Sequence, residues 1–244
     1  MIESALTDEN KMHQSINAKI LLCSIFDSLS KSRFPSGIKN GDRYKKTVVE
    51  CTDWCDCERI SLLHLVRAFE VSGTIPPAFE PLRKWASDEF VKRFPTTKRL
   101  IGCHSPVRKD PLLSEVQKYW PTDKINFLGV KVNVRLEHFQ HKHLLWLYRN
   151  SLVHEYRTPG RGSERTARLE TDPYYQEVSN ISELSPDFGM KFTNRWELVY
   201  PTGFFLQVAR SALSSIAEFH KQKNTSPFAA YSEGTYWIPS LNEE

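Results

Sequence analysis

Cysteine is scarce in this chain. Its 244 residues hold five, at Cys23, Cys51, Cys55, Cys57 and Cys103, an odd number that suits no closed disulfide framework, so free thiols are the default. Long apolar runs are missing as well: the greasiest stretch, residues 18–26, falls far short of the roughly 20 residues a transmembrane helix needs. Residues 1–17 are polar and mixed, with no basic-then-apolar secretory pattern, which points to a cytoplasmic chain that does not engage a membrane. No repeat or low-complexity tract divides the sequence. A one-sided charge is absent too. The net charge of +4 and pI near 8.7 permit nucleic-acid binding but argue for it only if the charge is gathered on one face. With 40% apolar residues and a mean hydropathy of −0.47, the composition is that of a soluble protein long enough to bury a core.

What is present is chiefly helical periodicity. Ile16, Ile20, Leu21, Ile25, Phe26 and Leu29 recur at helical spacing over residues 14–29, and Phe34-Pro35-Ser36-Gly37 ends that helix. Gly41-Asp42 offers an N-cap for a second helix through Val48-Val49. A third runs through Leu62, Leu65, Val66 and Phe69 and stops near Gly73, and a fourth opens at Pro81 and closes before Pro95. Asp110-Pro111 reads as the start of a short helix toward Trp120. Val130, Val132, Val134 and Leu136 alternate with polar residues, as in a short strand or extended lead-in. An amphipathic helix then spans about 139–156. Residues 174–181 and 192–200 read as two strands of a hairpin, and Pro201-Thr202-Gly203 leads into a last long helix carrying Phe205, Ala209, Ala212, Ile216 and Phe219. The expectation is one mainly α domain over 1–244, with a loop and β-hairpin inserted at 160–200 before the last long helix and an irregular tail at 224–244.

The richest local chemistry lies at the end of the 139–156 helix, in Arg149-Asn150-Ser151-Leu152-Val153-His154. Asn150 and His154 are four residues apart and share a helix face, whereas Arg149 lies about 140° round from His154 at 100° per residue. One ideal helix cannot aim both Arg149 and His154 at one small target unless Arg149 bends over or the helix distorts. A second copy packed antiparallel across a two-fold axis solves the geometry, so the site is expected to be half of a cleft shared at a homodimer interface. An imidazole titrates near ~6.5, suited to exchanging protons with a ribose hydroxyl, and a guanidinium forks onto phosphate oxygens.

Arg-Asn-x-x-x-His closing an apolar helix in helical surroundings resembles the HEPN superfamily (higher eukaryotes and prokaryotes nucleotide-binding domain). The resemblance is concentrated in residues 144–156 and extends more loosely to the helices at 14–30, 42–70 and 203–222. It implies a HEPN-like helical bundle and a metal-independent endoribonuclease, with Arg149, Asn150 and His154 catalytic and no cofactor. It also implies a homodimer acting on RNA, of the toxin–antitoxin or anti-phage defence kind, held by an antitoxin or regulatory protein. His154-Glu155-Tyr156 matches the His-x-Tyr extension of HEPN toxins. Tyr156, Arg157, Arg161 and His143 are the expected substrate-binding residues. His143 falls on one stripe with Leu147, Asn150 and His154, three helical turns along. The arginine-rich segment of Arg157, Arg161, Arg165 and Arg168 can guide an RNA backbone or be a solvated loop, its charge partly offset by Glu155, Glu164 and Glu170.

Two further groupings have blander readings. Cys51-x3-Cys55-x-Cys57, with His64 beyond, fits none of the paired zinc-knuckle spacings unless Cys103-His104 supplies a second pair, so no metal is expected. His138-x2-His141-x-His143 reads as a polar helix start. Trp146 and Tyr148 read as core residues. The rival to the nuclease is a non-catalytic HEPN-like module binding RNA, nucleotide or protein.

Overall fold

A computed structural model describes residues 11–35, 37–72, 74–95, 104–121, 134–160, 162, 164, 170–184 and 190–231. It is mainly helical, with a small antiparallel sheet. The helices are α1 (Lys11–Arg33), α2 (Asn40–Cys51), α3 (Leu62–Val71), α4 (Glu80–Arg93), α5 (Leu113–Gln117), α6 (His141–Glu155) and α7 (Thr202–Lys223). The strands β1 (His104–Pro106), β2 (Tyr174–Leu184) and β3 (Met190–Val199) lie in the order β1-β2-β3.

Four helices form the bundle that carries the motif. α1 packs on α2, α6 and α7, and α2 packs on α6 and α7. The contact faces are the periodic ones: Leu22, Cys23 and Phe26 on α1, Tyr44 and Val48 on α2, Leu145, Tyr148 and Leu152 on α6, and Phe205, Ala209, Ala212 and Ile216 on α7 are all buried. Removing these side chains from water is the main favourable term in assembling the bundle. Lys39 precedes α2 without a side-chain cap, so the expected Gly41-Asp42 cap is not used. Asp42 instead stands in the first turn, where the helix dipole and Lys45, at 2.8 Å, favour its charge.

The second half of the molecule is the sheet with α3 and α4. β2 and β3 form the expected hairpin, with a register shift between Ile181 and Glu183, and β1 adds the pair Ser105↔Tyr175, an edge the sequence did not announce. Phe94, just past α4, meets the rings of Tyr175 and Trp196 at 5.0 and 5.2 Å between centroids. Val134 and Arg135 lie outside any strand, and Leu136–Phe139 is a 3-10 turn, which corrects the expected strand as far as the described residues reach. The reason is burial: Leu136 and Phe139 are buried three residues apart, a spacing one turn satisfies and a strand does not.

The two halves meet at a sealed polar cluster. Asp110 accepts from the Leu62 backbone N–H at 3.3 Å, pairs with His141 Nε2 at 2.8 Å and accepts from the Tyr175 hydroxyl. His141 Nδ1 faces the Tyr200 hydroxyl at 3.2 Å, and Ser61 Oγ joins Tyr175 and His64 Nδ1 at 2.8 and 2.7 Å. These bonds pull Asp110 inward, so α5 begins at Leu113 rather than at the expected Asp110-Pro111.

Candidate active-site cleft

α6 runs from the sealed cluster to the surface. It is capped at Tyr156, whose left-handed backbone (φ 54°, ψ 36°) costs a bulky residue roughly 1–2 kcal/mol. The Tyr156 hydroxyl donates to Asn17 Oδ1 on α1, which holds the residue in that turn. The helix therefore stops one residue after His154, at Glu155, and that imidazole is exposed.

Arg149, Asn150 and His154 converge within one chain. Arg149 Nη1 lies 3.2 Å from Asn150 Oδ1 and 3.4 Å from His154 Nε2. This corrects the reason for expecting a shared cleft: the long arginine stem bends over, so a second copy is not needed to bring these three groups together. Trp146 guides the bend, with the guanidinium carbon 5.1 Å from its ring centroid. On the far side Asp27 of α1 anchors it, its Oδ2 accepting from Arg149 Nε at 3.0 Å and from Nη2 as well. A guanidinium only donates, so a hydrogen bond from Arg149 to His154 Nε2 requires the ring tautomer with its lone pair on that nitrogen. Burial pushes the Asp27 carboxyl above its ordinary range, and the bonds to Arg149 offset only part of that.

These residues line a cleft of about 470 Å³ between α1, the start of α2 and the end of α6. Its other polar groups were not legible in the sequence. Lys31 comes from α1 and Arg43 from α2, and Tyr231 reaches in from beyond α7. Arg43 donates to Asn40 Oδ1 at 3.3 Å and to the Ile38 carbonyl at 3.1 Å, while its buried Nε has no hydrogen-bond partner. Among the described residues neither Lys31 nor Arg43 forms an ion pair. Three cations (Lys31, Arg43, Arg149) against one carboxylate (Asp27) leave a formal balance of +2 in the cleft. The modest charge of the whole chain is thus partly concentrated where an anion can enter.

The expected substrate-binding residues fare differently. Tyr156 borders the motif and is about half exposed. Arg157 pairs with Glu155 at the surface, a contact worth little in water. His143 does not line the cleft; it sits in a separate pocket at the start of α6, its ring 4.9 Å from that of His138 and near Asp42 and Lys45. The stripe with Asn150 and His154 exists along the helix, but α6 packs on α2 between its two ends, where Trp146 fills the space beside Gly41. Burial, with His138 and Lys45 beside it, lowers the His143 imidazole to about 4. Arg161, Arg165 and Arg168 lie outside the described residues. Tyr148 is core, as expected, whereas Trp146, also expected in the core, is only partly buried and forms one wall of the cleft.

At Glu164, within the loop after the motif, the solvated reading does not hold. It is nearly buried and pairs with Lys19, and it accepts from the Thr202 backbone N–H at 3.1 Å, capping α7. Burial acts to lower the Lys19 ammonium, but Tyr148 and Glu164 outweigh it and hold it above its usual value. Gly160, in the turn after the motif, has φ 76°, and a Cβ there would stand 2.5 Å from Glu197 Oε2. The left-handed turn favours glycine there.

Cys51 and Cys57 are buried and Cys55 is exposed, all as free thiols, and Cys103 lies outside the described residues. Among the described residues no group of three or more His, Cys, Asp or Glu is placed to hold a metal ion. Burial pushes the Cys23 thiol, beneath the cleft, up to about 12 and that of Cys57 to about 11, which suits neither to act as a thiolate nucleophile. No helix among the described residues is long and apolar enough to cross a membrane. Comparison with protein-family models, curated proteins and solved structures finds no match to this chain.

Proposed function

We propose that this chain is a HEPN-type endoribonuclease that cleaves RNA without a metal. The observation that carries the reading is the meeting of Arg149, Asn150 and exposed His154 at one end of a cation-rich cleft. In the proposed reaction, His154 Nε2 takes the proton of a ribose 2′-hydroxyl as that oxygen attacks the adjacent phosphorus. The bond to the 5′-oxygen breaks, and the leaving oxygen takes up a proton from the imidazolium or from water. The products are a 2′,3′-cyclic phosphate and a 5′-hydroxyl. Arg149 stabilises the charge on the pentacoordinate phosphorane, and Asn150 orients Arg149 through its amide oxygen. DNA, lacking the 2′-hydroxyl, cannot follow this path.

The same reading places the protein among toxins or defence effectors and pairs it with a second copy and a restraining partner. Leu147, exposed on the turn of α6 before Asn150, is one apolar side chain that a second copy could cover. One observation favours the rival, a binding module without chemistry: Asp27 already holds two nitrogens of Arg149.

The test is cleavage of single-stranded RNA in EDTA by wild type, Arg149→Ala and His154→Ala, with end-group analysis. Wild type is expected to yield cyclic-phosphate ends, and each variant to lose about a hundredfold or more in rate. Binding without cleavage by wild type, unchanged in His154→Ala, establishes the rival.

A further inference from the structure

Residues 224–231, just beyond α7, do not trail away. Asn224 turns left-handed (φ 50°), and the segment 225–231 folds back along the last turns of α1. Two contacts pin it there. Ser32 Oγ donates to the Pro227 carbonyl at 2.8 Å, and the Tyr231 hydroxyl donates to the Ser28 carbonyl at 2.6 Å. The result is a tyrosine ring at the mouth of the cleft, tethered by its hydroxyl and still more than a third exposed. Lys31, a cation without an ion pair among the described residues, sits with its ammonium 4.7 Å from the Tyr231 ring centroid.

A core role does not account for this ring, since its surface is left open to water at the entrance to a charged cavity. With the ammonium over one face of the ring, the part of the ring left open to water is what a nucleobase stacks on while its phosphate meets the ammonium. We propose that Tyr231 and Lys31 form a nucleobase subsite that holds one nucleotide flanking the phosphate at His154, so that the returning C-terminal segment positions single-stranded RNA. This rests on the RNA-cleavage reading, which supplies the polynucleotide, but it assigns binding to a part of the chain outside the motif. Stacking takes any base, so the subsite sets register and affinity rather than sequence. Tyr231 is a positioning residue and takes no part in proton transfer.

The experiment uses a fluorescent 2′-O-methyl RNA oligomer, which cannot supply the attacking hydroxyl, with binding followed by anisotropy. Tyr231→Ala is expected to weaken binding roughly ten- to a hundredfold, while Tyr231→Phe, which keeps the ring and loses the tether, stays within about threefold of wild type. Oligomers carrying an abasic site at successive positions provide the readout that mere structural damage does not move. At one position the abasic oligomer binds wild type and Tyr231→Ala equally. With cleavable RNA, Tyr231→Ala is expected to raise KM and leave kcat near wild type. Equal affinity of wild type and Tyr231→Ala for the intact oligomer overturns the subsite and leaves the nuclease standing. Tyr231-dependent binding by a wild type that never cleaves RNA removes the nuclease and retains the subsite, and a wild type that binds no oligomer overturns both.

Discussion

The two ends of α6 carry the same kinds of residue and put them to opposite use. At its start, His141 and Asp110 lie in a sealed cluster in which His141 is wholly buried and each hydroxyl has a partner. At its end, Arg149 and His154 face a cleft, with Asp27 half-buried behind them. A histidine bonded to a carboxylate is a structural tie in the first setting, and a histidine facing a cleft beside an arginine is a candidate base in the second. What separates them is access: a lone pair already matched inside the protein has nothing to offer a substrate, whereas His154 Nε2 touches only a long 3.4 Å contact to Arg149.

The strongest way to break the comparison is at the sealed end. Asp110→Ala leaves His141, Tyr175 and the Leu62 N–H without their shared acceptor and is expected to cost about 3–5 kcal/mol of stability, measured by urea unfolding. A loss below about 1 kcal/mol contradicts the view of that cluster as the joint between bundle and sheet.

Acid supplies a smaller effect with a defined sign. Burial lowers His64 to about 3 and His143 to about 4, whereas both titrate near ~6.5 in an unfolded chain. Between those values the unfolded state holds more protons, so stability is expected to fall as pH drops from about 6.5 toward 4. His143→Gln should flatten that fall, and a urea midpoint equally steep in pH for variant and wild type speaks against it.

At the open end the expected change in stability is smallest. Asp27→Asn removes a carboxylate that burial already disfavours, so unfolding free energy should move by no more than about 1 kcal/mol. Its effect belongs to function: Arg149 loses its anchor, and RNA cleavage is expected to fall about tenfold through misplacement. An unchanged cleavage rate shows that Trp146 and Asn150 alone hold the guanidinium.

The difference between the two ends also explains what could be read from the amino-acid order. Arg149, Asn150 and His154 lie within six residues on one helix, where spacing and rotation determine which groups can meet. The long helices and the 174–200 hairpin were legible for the same local reason. Asp27 reaches Arg149 across 122 positions, and nothing in either segment advertises the other. Arg43 and Tyr231 were hidden likewise, since packing of three separate segments brings them to the cleft. β1, only three residues long, has no period to detect. Glu164 looked like one more charge in a polar loop, and only burial against Lys19 and α7 reveals it as a latch.

The central claim is that chemistry belongs to the open end of α6 and stability to the sealed end. Its most direct test measures RNA cleavage per folded molecule for His154→Ala and His141→Ala, with thermal melts on the same preparations. His154→Ala is expected to keep its Tm within about 2 °C of wild type and to lose cleavage about a hundredfold or more. His141→Ala is expected to melt several degrees lower while its folded fraction cleaves at the wild-type rate. Equal cleavage by wild type and His154→Ala, or loss of cleavage in fully folded His141→Ala, contradicts the claim.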